Sequence, residues 1–189
     1  IYEVTYSGEI IRYDENNGLS GNRYRTITEL SDNTMLAAGD TGLSYIVDEA
    51  VIGNIGYSMK NSKVLCTLET DIQDYGRVIL AGTDGNGIEV ISDGRVIDNY
   101  DGLSSAVILR MVKDASGEGV FIVTSNSLCY MDKTGIIRIL DNFPYYNNYN
   151  VVNGNNDNLF VLGSAGIYVV DKSALLSGKE LDYKLLNGD

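Results

Sequence analysis

A short apolar run recurs four times along the chain, each time followed by a small or polar pair and then another hydrophobe. The copies are Met35-Leu36-Ala37-Ala38-Gly39 with Gly42-Leu43, Val78-Ile79-Leu80-Ala81-Gly82 with Gly87-Ile88, Val120-Phe121-Ile122-Val123-Thr124 with Ser127-Leu128, and Leu159-Phe160-Val161-Leu162-Gly163 with Gly166-Ile167. Their closing residues are separated by 43, 42 and 39 positions. A period of about forty belongs to propellers and helical arrays. The chain has 21 glycines, 14 tyrosines and a single proline, Pro144, and no long amphipathic helix; this composition suits many short strands joined by tight turns and excludes the helical arrays. The best helix candidate is one turn between Lys172 and Gly178, around Ala174, Leu175 and Leu176.

Within each period an alternating strand such as Tyr24 to Leu30 precedes a polar turn such as Ser31-Asp32-Asn33 and then the apolar run. In the second copy, Ile88 to Ile91 and Arg95 to Tyr100 flank Ser92-Asp93-Gly94, a hairpin with an Asp-Gly turn signal. Four strands per repeat make the blade of a propeller. The apolar run is then the second strand, expected to be buried on both faces between neighbouring blades, so it does not alternate. The N-terminal stretch, Ile1 to Tyr6 and Glu9 to Asp14 around Ser7-Gly8, matches only a third and fourth strand.

The expected fold is therefore all-β, a propeller of four-stranded blades: a half blade over 1–17 and full blades over about 18–56, 57–101, 102–146 and 147–189. Four and a half blades do not make an ordinary closed ring. The chain reads either as part of a larger propeller or as one that closes unusually, with a partner chain supplying the missing edge. It begins at Ile1 without a basic and apolar leader, which reads as a mature or excised piece.

Charge and residue inventory narrow the function. Fourteen basic and 26 acidic residues give a net charge of −12, which argues against nucleic acid and anionic lipid surfaces as partners. There is no histidine, so His-based triads and the usual neutral-pH proton shuttle are excluded. Cys66 and Cys129 lie in apolar, strand-like segments and read as small buried hydrophobes; a disulfide is not indicated.

Several motifs carry a resemblance. Gly18-Leu19-Ser20-Gly21-Asn22 leads into the first blade, Gly102-Leu103-Ser104-Ser105 leads into the third, and Ala81-Gly82-Thr83-Asp84-Gly85 closes a second strand. Together they resemble the two-component regulator propeller repeat. That resemblance implies an extracytoplasmic, periplasmic or cell-surface, sensor part of a bacterial receptor, whose output module would be a kinase or diguanylate cyclase. It further implies a detector of small molecules, in several relatives oligosaccharides, and no enzymatic activity or cofactor of the chain itself.

In a four-stranded blade, the loop entering the first strand and the loop between the second and third strands share one face. That face would carry Asn22, Arg23, Asp40, Thr41, Tyr57, Asp84, Asn86, Ser125, Asn126 and the segment Tyr145-Tyr146-Asn147-Asn148-Tyr149. Tyrosine offers a flat apolar body for a sugar ring and asparagine a donor and an acceptor, so Arg23, Asp40, Tyr57, Asp84, Asn86, Tyr145, Tyr146 and Tyr149 are the candidate ligand-binding residues. The competing reading is a polar loop whose tyrosines pack on the adjacent blade. Gly82 to Gly87 is a glycine-rich turn, not a nucleotide loop, because a strand follows. Asp14 to Gly18 and Asn153 to Asp157 have alternating oxygen donors but lack the terminal glutamate of a calcium loop, so no metal site is assigned. The carboxylate pairs Asp71 with Asp74 and Asp98 with Asp101 are expected in solvated turns. Two further functions stay open: a protein-interaction or homodimerisation scaffold, and a histidine-free propeller hydrolase or lyase.

Overall fold

Every repeat folds into its own antiparallel meander. The computed structural model describes residues 1–55 and 63–188. β1 (Tyr2–Val4) and β2 (Ile10–Arg12) form a two-stranded sheet. Blade one holds β3 (Tyr24–Glu29), β4 (Met35–Gly39), β5 (Gly42–Val47) and β6 (Ala50–Ile55). Blade two holds β7 (Val64–Ile72), β8 (Gly76–Thr83), β9 (Ile88–Ser92) and β10 (Arg95–Tyr100). Blade three holds β11 (Ile108–Lys113), β12 (Gly119–Thr124), β13 (Leu128–Asp132) and β14 (Ile137–Ile139). Blade four holds β15 (Asn148–Asn153), β16 (Asn158–Gly163), β17 (Gly166–Asp171) and β18 (Tyr183–Leu186). The first strands β3, β7, β11 and β15 touch one another in succession, so they line the inner side of an arc of blades: this is a β-propeller architecture.

The core lies between blades. Leu36, Ala38, Leu43 and Ile55 of blade one meet Val64, Ala81 and Ile91 of blade two. Cys66, Leu80, Ile88 and Val90 meet Ile108, Met111, Ile122 and Met131 of blade three. Phe121, Val123, Leu128 and Tyr130 meet Val151, Leu159, Val161 and Tyr168 of blade four. Each fully buried side chain of this size contributes about 1.5–3 kcal/mol, so the blades hold one another by apolar burial while the ladders hold each blade. Both cysteines are buried and free; burial pushes the Cys66 thiol up to about 12 and so keeps it unreactive. The predicted helical turn is α1 (Lys172–Ser177), with Asp171 accepting from the Ala174 N–H at its start and Gly178 in the left-handed conformation at its end. Its Leu175 is buried against blades three and four. Arg138 and Asn142 of the third repeat donate to its last carbonyls, so α1 staples the two blades together.

Three expectations are corrected. The structural equivalent of Gly39 is Thr83, not Gly82, because Tyr24 pairs with Gly39 as Val64 pairs with Thr83; the long β7–β8 hairpin displaces the motif by one residue. The second strand is buried on both faces over most of its length in the first three blades, with Met35 exposed and Ile79 half-buried, but in β16 Phe160 and Leu162 are only half-buried, since no described element covers that side. Asp71 and Asp98 lie within β7 and β10, not in turns, and Asp98 accepts a hydrogen bond from the Tyr75 hydroxyl at 2.6 Å.

Candidate functional site

The loops that enter the first strands and the turns between second and third strands do share a face, fixed by one hydrogen bond repeated in every blade. The N–H groups of Asp40, Asp84, Ser125 and Ser164 donate to the carbonyls of Arg23, Lys63, Val107 and Asn147, at 3.0, 2.8, 3.1 and 3.1 Å. In blade one this approach requires a glycine just before the turn: a Cβ at Gly39 would run into the Arg23 carbonyl and the Tyr24 backbone. A second device recurs beside the first. The ladder slips by one residue between Tyr24 and Thr26, Val64 and Cys66, Ile108 and Arg110, and Asn148 and Asn150. The extra residues at these bulges are Arg25, Leu65, Leu109 and Tyr149, one at the head of each inner strand. Bulges redirect side chains and end regular pairing; here Arg25 and Tyr149 are exposed, whereas Leu65 and Leu109 are half-buried, Leu109 against the core between blades three and four.

The face is polar and cross-linked. Arg25 donates from Nε to Asp40 Oδ1 at 2.7 Å, and that hydrogen bond holds the Asp40 carboxyl below its usual range. Ser20 and Ser104, the serines of the two Gly-Leu-Ser segments, tie the entering loop to the neighbouring turn. The Ser20 N–H donates to Ser44 Oγ in β5 at 3.1 Å, Ser20 Oγ lies 3.3 Å from Thr41 Oγ1 in the turn, and Ser104 Oγ lies 2.7 Å from Ser127 Oγ. Ser105 and Ser125 are joined in the same way at 2.7 Å. In blade two, the Asn86 side chain donates to buried Glu89 at 2.8 Å while Asn99 donates to the Asn86 carbonyl at 2.8 Å. Lys63 lies 3.9 Å from Asp84.

The sequence candidates take different places in this frame. Arg23 is exposed, and its carbonyl accepts the Asp40 turn bond. Asp40, Asp84 and Asn86 sit on successive turns of the face. Tyr57 lies outside the described residues. Tyr145 is packed: its ring stacks on Tyr168 with centroids 4.4 Å apart and meets Phe143 and Tyr183 edge-on. A hydrogen bond with Tyr183, helped by burial, raises its phenol to about 12. Tyr146 and Tyr149 project to solvent, 68% and 56% exposed. Asn148 is buried and donates to the Tyr145 carbonyl at 2.9 Å, fixing the loop between them. Sequence reasoning missed Arg25, because a bulge is a property of the ladder and leaves no residue signature.

The carboxylates of the two segments rich in oxygen donors are engaged by neighbouring protein groups. Asp14 caps the 3-10 turn Glu15–Asn17, accepting from the Asn16 N–H, while Asn17 accepts from the Asp14 N–H. Asp157 accepts from Ser173 and pairs with Lys172 at 3.4 Å. Among the described residues no group of three His, Cys, Asp or Glu side chains is placed to hold a metal ion, and no helix is long and apolar enough to cross a membrane.

No protein-family model matches the chain, and no curated protein matches it either. Solved structures do. The extracellular domain of a B. thetaiotaomicron protein described as a hybrid two component system is 15% identical with a TM-score of 0.73, over 93% of this chain and 26% of that one. The extracellular domain of another protein from the same organism, described as a one component system, is 16% identical with a TM-score of 0.70, over 97% and 28%. Virginiamycin B lyase from Staphylococcus aureus is 16% identical with a TM-score of 0.73, over 100% and 63%. The chain thus spans about a quarter of the length of the two extracellular domains. At these identities the likeness is one of fold, and the fold is the β-propeller.

Proposed function

We propose that this chain is the ligand-sensing, non-catalytic part of an extracytoplasmic bacterial receptor, and that it recognises a small molecule, foremost an oligosaccharide, on the face described above. The observation that carries this reading is the repeated bulge-and-turn frame. It holds the backbone constant in all four blades while presenting Arg25, Tyr149 and the turn residues Asp84 and Asn86 on one face, which is how a rigid scaffold carries a binding site. Exposed Tyr146 and Tyr149 supply the flat apolar surfaces, and Arg23, Asn86 and Asp84 the donors and acceptors, that a sugar ring needs. The similarity in fold to extracellular domains of two-component and one-component systems supports the placement in a receptor. A propeller lyase also shares the fold; the lack of histidine and the pairing of Asp40 and Asp114 with cations favour binding over turnover.

The test is a thermal-shift screen against oligosaccharides, simple sugars, amino acids and calcium. A ligand at a hundred times its Kd adds about 2.7 kcal/mol and moves the midpoint by several degrees. The expected result is a saturable shift that Tyr146→Ala and Tyr149→Ala abolish. Both side chains are exposed, so these variants should keep the unliganded stability within about 0.5 kcal/mol. Absence of any shift, or turnover of a ligand that binds, would overturn the reading.

A further inference from the structure

The seams between blades repeat one polar contact, and the middle seam lacks it. The ladder register makes Glu29, Glu69, Lys113 and Asn153 equivalent, each late in the first strand of its blade and opposite Met35, Ile79, Val120 and Leu159. Between blades one and two, Glu69 accepts from the Ser31 N–H at 2.9 Å and from the Ser31 hydroxyl at 3.0 Å. Between blades three and four, Asn153 accepts from the Ala115 N–H at 3.1 Å and donates to the Lys113 carbonyl at 2.8 Å. In both cases the side chain reaches back to the end of the preceding blade's first strand and the turn after it. Between blades two and three the same position holds Lys113, whose ammonium has no hydrogen-bond or ion-pair partner among the described residues. A lysine carries donors only, so it does not accept a backbone N–H as Glu69 and Asn153 do.

The backbone facing Lys113 differs as well. β7 has nine residues where β3, β11 and β15 have six, so blade two continues as a strand where the others turn. Its hairpin tip crosses to blade three, where the Gln73 N–H donates to the Lys133 carbonyl at 2.7 Å. Blades two and three therefore meet at their apolar core and again at this tip, and a cleft of about 620 Å³ opens beside these contacts, within the range of roughly 300–1,000 Å³ that small-molecule sites occupy. Thr70 and Gln73 line it from blade two, and Lys113, Gly119 and Lys133 from blade three. Strand alternation explains these placements. Met111 packs toward blade two, and Lys113 takes the same face of β11; Ile72 packs toward blade three, and Thr70 takes the same face of β7. Asp71 also borders the cleft, but alternation gives it the opposite face of the strand. Lys133 Nζ is engaged by Glu118 at 2.9 Å. The uncompensated charge in the cleft is thus the Lys113 ammonium.

We infer that this cleft is a binding site for a small hydroxylated carboxylate of the sugar-acid kind. Its carboxylate pairs with the Lys113 ammonium, and its hydroxyl groups bond the Thr70 hydroxyl and the Gln73 amide. Hydrogen bonds between charged partners are the strong ones, so Lys113 supplies most of the affinity and the neutral groups supply the preference for a hydroxylated acid. The bound carboxylate restores to the middle seam the acceptor that Glu69 and Asn153 provide at the other two. The turns that form the cleft lie on the face opposite Tyr146 and Tyr149, and the assignment does not depend on the ligand reading above.

The test is isothermal titration of the whole chain with gluconate and glucuronate, and with acetate, glucose and inorganic phosphate for comparison. Saturable binding of at least one of the two sugar acids at millimolar concentration is expected, with the three comparison compounds weaker by about tenfold or more. Lys113→Gln should weaken the sugar acid by about tenfold, whereas Lys113→Arg, which keeps the charge, should retain it within a few-fold. Lys113 is exposed, so neither variant should disturb folding, which circular dichroism checks. Tyr149→Ala, on the other face, should leave the affinity unchanged. Failure of both sugar acids to saturate, or binding insensitive to Lys113→Gln, would overturn the assignment. Acetate or phosphate binding as tightly would reduce the cleft to an unselective anion site and overturn it too, and loss with Tyr149→Ala alone would move the ligand to the opposite face.

Discussion

Asp114 shows how one side chain can lock two blades. It is 3% exposed in the turn after β11 and accepts from Lys172 Nζ at 2.8 Å, from the Tyr130 hydroxyl at 3.1 Å and from the Ser116 N–H at 3.1 Å. Lys172 comes from blade four, so the cluster bridges the third interface. Burial pushes the Asp114 carboxyl up, but the bonds from Lys172, Ser116 and Tyr130 outweigh it and hold it below its ordinary 3.8. A carboxyl lowered on folding stabilises the native state above its unfolded value, and that stability is lost as pH falls through the folded one. Wild type should therefore lose stability below about pH 3.8 more steeply than Asp114→Asn, as urea titrations at several pH values would show. At neutral pH, Asp114→Ala leaves Lys172 with its 3.4 Å pairing to Asp157 and removes the acceptor of the Tyr130 hydroxyl and the Ser116 N–H, and should cost about 1–3 kcal/mol. Tyr145 behaves differently from its neighbour: removing its ring opens the cluster with Tyr168 and Tyr183, whereas Tyr146 contributes to no such cluster.

At the scale of the element, equivalent strands act as internal controls. Phe121 in β12 and Phe160 in β16 hold the same register position, but the first is fully buried against blade four and the second faces the uncovered side. Phe121→Ala should cost about 3–5 kcal/mol and Phe160→Ala less than half of that, measured by chemical denaturation. The same comparison explains what was legible in the sequence. Second strands such as Val120 to Thr124 announce themselves because burial on two faces demands unbroken hydrophobicity, and α1 because Asp171 and Gly178 bracket three apolar residues. The Gly-Leu-Ser segments marked loops whose serines the structure puts to use. The Gly82 alignment failed because β7 and β8 are longer than their counterparts, and glycine and threonine both suit the end of that strand. The bulges were invisible, since they depend on which carbonyl meets which N–H across a ladder. The packing of Tyr145 depends on Tyr168 and Tyr183, ring contacts made from distant strands that no local pattern encodes.

The whole molecule is a row of units in which each blade touches only its neighbours. Stability then approximates a sum of blade terms and interface terms. The interfaces are unequal: among the described residues, blades two and three share more side chains exposed by 2% or less than any other pair of blades, whereas the half blade rests on a small cluster of Tyr13, Leu19, Ala37 and Ile46. Amide hydrogen exchange should accordingly be fastest in β1 and β2 and slowest in β8 and β12. The net charge of −12 gives such an arc a long-range repulsion toward polyanions, and its part-exposed apolar flanks are Ile27 and Met35 at one end and Phe160 and Leu162 at the other.

Unequal joints between near-identical units also have a mechanical consequence. Held by its two ends in an optical trap, the chain should lengthen in discrete jumps, each freeing one repeat of about forty residues, or about 14 nm of contour at 3.3–3.6 Å per residue. The order of the jumps would rank the seams directly, with the half blade yielding at the lowest force and the pair formed by blades two and three holding longest. A single jump for the entire arc would mean instead that the seams are as strong as the sheets they join.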